Sequence, residues 1–261
     1  MIEILVFLSL IFLIMVLFYK QRRPDLTILQ LEEEQIEAQL TELLTERQPI
    51  ILRSITPPKG LTQESLSKIQ RLAHFPVGGQ TLSTVLTSPE MLATAKGVPT
   101  ISEEGREQLA EELALPIWAK HTWLPRLNQF TWTGWAAGTT RSEVVLGGMG
   151  LFRTSAIVTC IFATEGKYNV SILFKDSETF LPPNWEYRYP NTFTVNDTPL
   201  VADLKYMDIV LRPGTALLLP THTIASLEPA ADSGPFQSAA IVEYHEPISL
   251  LVRTAASGSH F

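Results

Sequence analysis

Cysteine is nearly missing from this chain. A single thiol among 261 residues, Cys160, excludes any intrachain disulfide. It lies in the apolar run Ala156-Ile157-Val158-Thr159-Cys160-Ile161-Phe162, which suits a buried small hydrophobe better than a nucleophile. So few thiols agree with a reducing, cytosol-facing location. Positive charge is also scarce. The net charge is −7 and no Lys/Arg cluster follows residue 23, so nucleic acid is not expected as a partner. G-x-x-x-x-G-K-S/T, G-x-S-x-G and H-E-x-x-H are all lacking, which removes the residue sets for phosphate loops, hydrolase elbows and zincin helices. Gly147-Gly148-Met149-Gly150 is glycine-rich but precedes a β-rich run, so it reads as a turn rather than a dinucleotide loop. There is no internal repeat and no low-complexity tract. Two triplets have the form of glycosylation sequons, at Asn169 and Asn196, but a cytosolic domain does not meet the modifying enzyme.

A long hydrophobic run is present, and it opens the chain. Residues 1–19, MIEILVFLSLIFLIMVLFY, are apolar apart from Glu3, and Lys20, Arg22 and Arg23 follow at once. At 1.5 Å per residue such a helix rises roughly 28 Å, which predicts a transmembrane helix. The charge follows the run and no small-residue cleavage pattern is present, so a retained anchor is expected rather than a signal peptide. The basic flank places everything beyond Arg23 on the cytosolic side. Residues 20–26 then form a basic juxtamembrane linker.

With 45% hydrophobic residues the remainder has enough apolar side chains for a full core. Helical signals crowd its first half, residues 27–129. An acidic segment over 31–46 places Ile36, Leu40, Leu43 and Leu44 on one stripe. Residues 48–53 read as a short strand. Thr62 is an N-cap for a helix to about residue 72, and Ser88-Pro89-Glu90 opens another ending at Gly97. Ser102 caps a third, which Pro116 should stop. From about residue 130 to 253 the period becomes that of strands, at 130–135, 143–146, 156–163, 168–174, 204–211, 215–219, 239–244 and 248–252. Many short strands at this spacing predict a barrel or sandwich. Residues 254–261 are a tail. Trp118, Trp123, Trp132, Trp135 and Trp185 are expected at the packing interface between the two halves.

Two stretches carry a family resemblance. One runs from Leu146-Gly147-Gly148-Met149-Gly150-Leu151-Phe152-Arg153 through Glu165-Gly166-Lys167-Tyr168-Asn169-Val170-Ser171-Ile172-Leu173-Phe174 to Leu181-Pro182-Pro183. The other is Asp208-Ile209-Val210-Leu211-Arg212-Pro213-Gly214-Thr215-Ala216-Leu217-Leu218-Leu219-Pro220. Together with the 48–53 strand they resemble the cupin-like JmjC group of double-stranded β-helix proteins, over roughly residues 26–246. The resemblance implies an α+β, mainly β fold, with a cupin-like domain over 27–261 whose second half is a jelly-roll barrel. It also implies a hairpin over 208–220 that turns at Pro213-Gly214. Active members are iron(II)- and 2-oxoglutarate-dependent oxygenases, which need two His and one carboxylate on one face of the metal. Their first pair is H-x-D/E on one strand. None of His74, His121, His222, His245 and His260 has Asp or Glu two positions on. The expected ligand positions fall instead on Arg153, Ser155 and Ala225.

The chain is therefore expected to be a degenerate cupin-like domain without metal, cofactor or catalysis. It would act as a structural or binding module for a protein partner at a membrane, by analogy one linking an internal virion membrane to a capsid. The alternative is a membrane-bound oxygenase with an atypical ligand set: His222, joined by His245 or His121 and a carboxylate such as Asp203, Asp208 or Glu243. A third reading, a metal-free small-molecule site, places a polar pocket near Lys167 and Arg153.

Overall fold

The computed structural model describes residues 2–20, 26–93, 97–128 and 139–246, and within them the chain is α+β. The opening run forms one helix, α1 (Ile2–Lys20), with Glu3 in its first turn. Its side chains from Glu3 to Ile14 are exposed, and none joins a core cluster. Among the described residues no helix is long and apolar enough to cross a membrane, which overturns the expected single-pass anchor and the membrane topology built on it. The physical reason is length. Glu3 and Lys20 bracket sixteen uncharged residues, a rise of about 24 Å against a hydrocarbon core of about 30 Å. Most of the expected basic linker, residues 21–25, lies outside the described residues.

The helical section follows its local signals closely. After the short strand β1 (Leu29–Glu32), α2 (Ile36–Thr45) buries Ile36, Leu40 and Leu44 at four-residue spacing. Strand β2 (Ile50–Arg53) is where the apolar run predicted it. The Thr62 hydroxyl accepts from the Ser65 amide to cap α3 (Gln63–Ser67). A small β3–β4 ribbon (Pro76–Val77 and Gln80–Thr81) leads to α4 (Leu82–Thr87) and α5 (Glu90–Ala93). Ser102 caps α6 (Glu103–Glu112) by accepting from the Gly105 amide. Pro116 does not stop that helix. The chain leaves it through Ala114 in a left-handed conformation, and Pro116 sits in the first turn of α7 (Leu115–Thr122), where its missing N–H costs nothing. The section ends with α8 (Leu124–Asn128).

Eight strands follow: β5 (Thr139–Leu146), β6 (Met149–Arg153), β7 (Val158–Glu165), β8 (Tyr168–Leu173), β9 (Tyr206–Leu211), β10 (Thr215–Pro220), β11 (Ile224–Pro229) and β12 (Ser238–His245). The larger sheet runs β1-β2-β10-β7-β12-β5 and the smaller β6-β11-β8-β9. In chain order the eight fall large, small, large, small, small, large, small, large. This is the double-wound path of a jelly roll. The interior core between the sheets combines Val145, Ile161, Leu217 and Ile241 from one with Val170, Ile209 and Leu227 from the other. The helices cover the outer face of the large sheet, where Trp118 and Trp123 pack on Phe162 at 5.2 and 5.0 Å between ring centroids. The segment 174–204 covers the outer face of the small sheet, where Leu151, Leu173, Phe193 and Ile224 form a third cluster.

Several expectations change. β6 and β11 were not predicted, and they pair with each other. The expected strands at 130–135 and 248–252, the tail, and Trp132 and Trp135 all lie outside the described residues. Trp185 does not join the other tryptophans but packs on the opposite sheet with the third cluster. The stretch 208–220 is not a hairpin either. β9 pairs with β8, whereas β10 pairs with β2 and β7, so Pro213-Gly214 carries the chain from one sheet to the other. Ile209, Leu211, Leu217 and Leu219 still meet in the interior core, because the strands face each other across it.

Gly214 makes that crossing at φ 86°, and a β-carbon there would meet nothing within 4 Å. Gly214→Val is thus a test of backbone strain alone. It is expected to cost about 1–3 kcal/mol, measured as a lower urea midpoint with unchanged slope.

Candidate functional site

The pairing of β6 with β11 decides where the expected ligand positions meet. Arg153 lies opposite Ile224 and Phe152 opposite Ala225, so these positions are neighbours in space. Their chemistry is not that of a metal centre. The Arg153 guanidinium is ion-paired with Glu178 and lies 5.8 Å from the Trp185 ring, on the outer side of the small sheet. Ala225 presents a methyl group to the interior core. His222 occupies the turn before β11 at φ 60°, its amide donating to the Thr154 carbonyl at 2.9 Å.

The alternative ligands are dispersed. His121 is exposed on α7 and Asp203 is exposed before β9. Asp208 accepts from the Ser171 hydroxyl at 2.7 Å. Only His245 and Glu243 come together, with Nε2 3.4 Å from Oε2. Among the described residues no three His, Cys, Asp or Glu side chains gather closely enough to hold a metal ion. Lys167 and Arg153 do not share a pocket. Lys167 pairs with Asp232 at 2.6 Å beside Tyr168, which faces Pro229, whereas Arg153 faces Ile224. They sit at opposite ends of β11, about 20 Å apart along the strand.

A polar constellation does exist, and the sequence reading missed it. In β5, Arg141 and Glu143 share the face of Val145. In β12, Glu243 and His245 share the face of Ile241. The register sets Arg141 opposite Glu243 and Glu143 opposite Ile241, so charge accumulates where the interior core reaches the barrel mouth. From the helical layer, α6 packs against β5 on the other side, and Arg106 reaches around this edge strand. Its Nε donates to Glu143 Oε2 at 2.9 Å and its Nη1 to the Ile101 carbonyl at 3.1 Å. Arg141 is ringed by carboxylates: Glu103 at 2.7 Å, Glu107 in direct contact, Glu143 at 3.5 Å and Glu243 at 3.8 Å. Arg106 and Glu143 keep only 7% and 10% of their side-chain surface.

Above this network lies a cavity of about 220 Å³, lined by Arg106, Arg141, Glu143 and Glu243 and also by Arg153, Ser155, Glu186 and Tyr187, so Arg153, though not Lys167, borders a polar pocket. The strap carrying Glu186 and Tyr187 is held by backbone hydrogen bonds in both directions with Leu151. It comes so near Gly150 that a β-carbon there would fall 2.3 Å from the Tyr187 carbonyl carbon. Burial pushes the Glu143 carboxyl above its ordinary value. The facing charge of Glu243 adds to this, and the two guanidinium groups oppose it. Cys160, buried on the other face of the large sheet, has its thiol pushed up by burial and takes no part.

The sequence signal for the network was present. Arg141-x-Glu143 and Glu243-x-His245 place charge at two-residue spacing beside apolar neighbours, which sets both members of each pair on one face. An H-x-D/E search does not find either pair. No family model matches the chain, and no curated protein matches it significantly.

Removing Arg106 would leave Glu143 buried with Arg141, 3.5 Å away and shared with three other carboxylates. Arg106→Ala is expected to cost about 3 kcal/mol at pH 7. Glu143 binds its proton more tightly in the folded than in the unfolded chain, so its contribution to stability falls as pH rises from the unfolded value through the raised folded one. Loss of Arg106 raises that folded value further. The deficit of the variant against the parent, measured by urea unfolding, should therefore be smaller at pH 5 than at pH 7.5.

Proposed function

We propose that this chain is a non-catalytic module of the cupin-like, double-stranded β-helix type, working by binding rather than by metal chemistry. The strand order of the two sheets supports the cupin-like assignment, because all eight strands follow the jelly-roll path. The observation that carries the functional reading is the β6–β11 pairing. It sets the expected ligand positions Arg153 and Ala225 on adjacent strands but on opposite faces of the small sheet, a guanidinium turned outward to Glu178 and a methyl group turned into the interior core. Two imidazoles and a carboxylate facing one point are what iron of this class requires. A protein partner is the expected target. Val195, Leu200, Tyr206 and Val210 are exposed apolar side chains within one stretch that ends on β9, the outer strand of the small sheet. With a net charge of −7, nucleic acid is not a candidate.

The test is metal analysis of the full chain purified without chelators, together with an assay for 2-oxoglutarate consumption. The expected result is substoichiometric iron and no turnover, both unchanged in His222→Ala. Near-stoichiometric iron that is lost on that substitution would overturn the reading in favour of an oxygenase.

A further inference from the structure

The end of the barrel away from the mouth holds a second cavity, of about 320 Å³, between Tyr189 of the strap and the loop 230–237 that joins β11 to β12. Its charged lining residues are Glu90 and Glu228. Among the described residues no Lys, Arg or His borders it, and neither carboxylate has an ion pair. The rest of the wall is largely apolar, with Leu92, Pro229 and Pro235 beside the Tyr189 ring, whose hydroxyl donates to the Leu227 carbonyl at 3.4 Å. A buried polar group in this lining points to a ligand. Gln237 borders the cavity and is 4% exposed. Its Nε2 donates to the Gly234 carbonyl in the same wall, which fixes the amide, and its Oε1 has no partner among the described residues. A buried acceptor left unmet is costly, so a donor is missing here. Glu228 also keeps acceptor capacity, since its two oxygens share one Asn191 amide at 3.3 and 3.2 Å.

A matching group is cationic, carries several donors and tolerates apolar walls. An ammonium is compact and strongly hydrated. A guanidinium is planar and weakly hydrated, pairs with a carboxylate through a fork of N–H groups and lies well against an aromatic ring. The surroundings say what presents it. Glu228 lies opposite Asn169, and Asn169 opposite Val210, so one outer-face row across β11, β8 and β9 leads from the cavity to an exposed apolar side chain. We propose that this cavity takes the guanidinium of an arginine side chain on the protein partner. This rests on reading the chain as a module for a protein partner, and it names the group recognised. The guanidinium pairs with Glu228, a further N–H meets Gln237 Oε1, and the Tyr189 ring flanks the site, while the partner's backbone crosses the row toward Val210.

The experiment is an NMR titration of the full chain with N-acetyl-L-arginine methylamide at pH 7.5 and low salt. Saturable shifts are expected at the Gly148, Ala231 and Gly234 amides and at the Gln237 side-chain amide. N-acetyl-L-lysine methylamide should bind at least fivefold more weakly. Free arginine, whose own carboxylate meets two others, should bind no more tightly than the blocked residue. Glu228→Gln should weaken binding at least fivefold, about 1 kcal/mol. Ala231→Arg, which sets a fixed guanidinium at the exposed rim, should abolish the shifts and keeps the test open if Glu228→Gln fails to fold. Glu64→Gln, on α3, should bind as the parent does. Absence of saturable shifts up to about 20 mM would overturn the proposal. So would equal affinity for the lysine compound, undiminished affinity in folded Glu228→Gln or Ala231→Arg, or an equal loss in Glu64→Gln. Tighter binding of free arginine would overturn it in favour of a free small molecule. None of these outcomes bears on iron content or 2-oxoglutarate turnover, so a failure here is distinct from a failure of the non-catalytic reading.

Discussion

Both faces of the large sheet are buried at its centre, and this constraint governs where everything else can go. Its inner face packs on the small sheet and its outer face on the helical layer, so β7 is buried at every position from Val158 to Thr164. A strand enclosed on both sides has almost no place for charge, because a buried ion costs several kcal/mol unless it is paired. The charged residues of β5 and β12 are consequently displaced to the ends of those strands, at the mouth of the barrel, where Arg141 and Glu243 face each other.

The helical layer completes that arrangement. β5 is the last strand of the large sheet, and α6 lies along it with Leu109 and Ala110 in the outer core. Because β5 has no neighbour beyond it, Arg106 can pass around it to Glu143 on the inner face. The pair links the helical half to the barrel interior. Its contribution to net stability is modest, since desolvation offsets most of the attraction, but losing one partner is expensive. A network of this kind specifies a single docking of α6 against the sheet more than it strengthens it.

Sequence and structure part company at identifiable places. The capped helices were legible because Thr62 and Ser102 act within their own first turns. Long apolar strands such as β7 and β8 were legible from composition. β6 and β11 were not, since glycine in Met149–Arg153 and the mixed polarity of Ile224–Pro229 dilute any periodic signal. Those two strands hold the positions on which the functional question turns. The Pro213-Gly214 turn was correctly placed, yet its strands join different sheets, a choice made by β2, β7 and β8 and not by the turn. At the N-terminus the run of apolar residues was read as a span, while its charged ends leave it too short to be one.

What the sequence determined by itself is local: where helices start, where strands lie, and which residue types are available for chemistry. The missing H-x-D/E pair is a fact of composition and order that no folding can supply. Only the tertiary structure decided which polar residues meet. Arg106, Arg141, Glu143 and Glu243 span nearly 140 positions, and their convergence depends on antiparallel register between β5 and β12 and on the docking of α6. Register is set by long-range burial of the apolar faces, and a change of one residue would have turned all three β-strand charges away from the cavity.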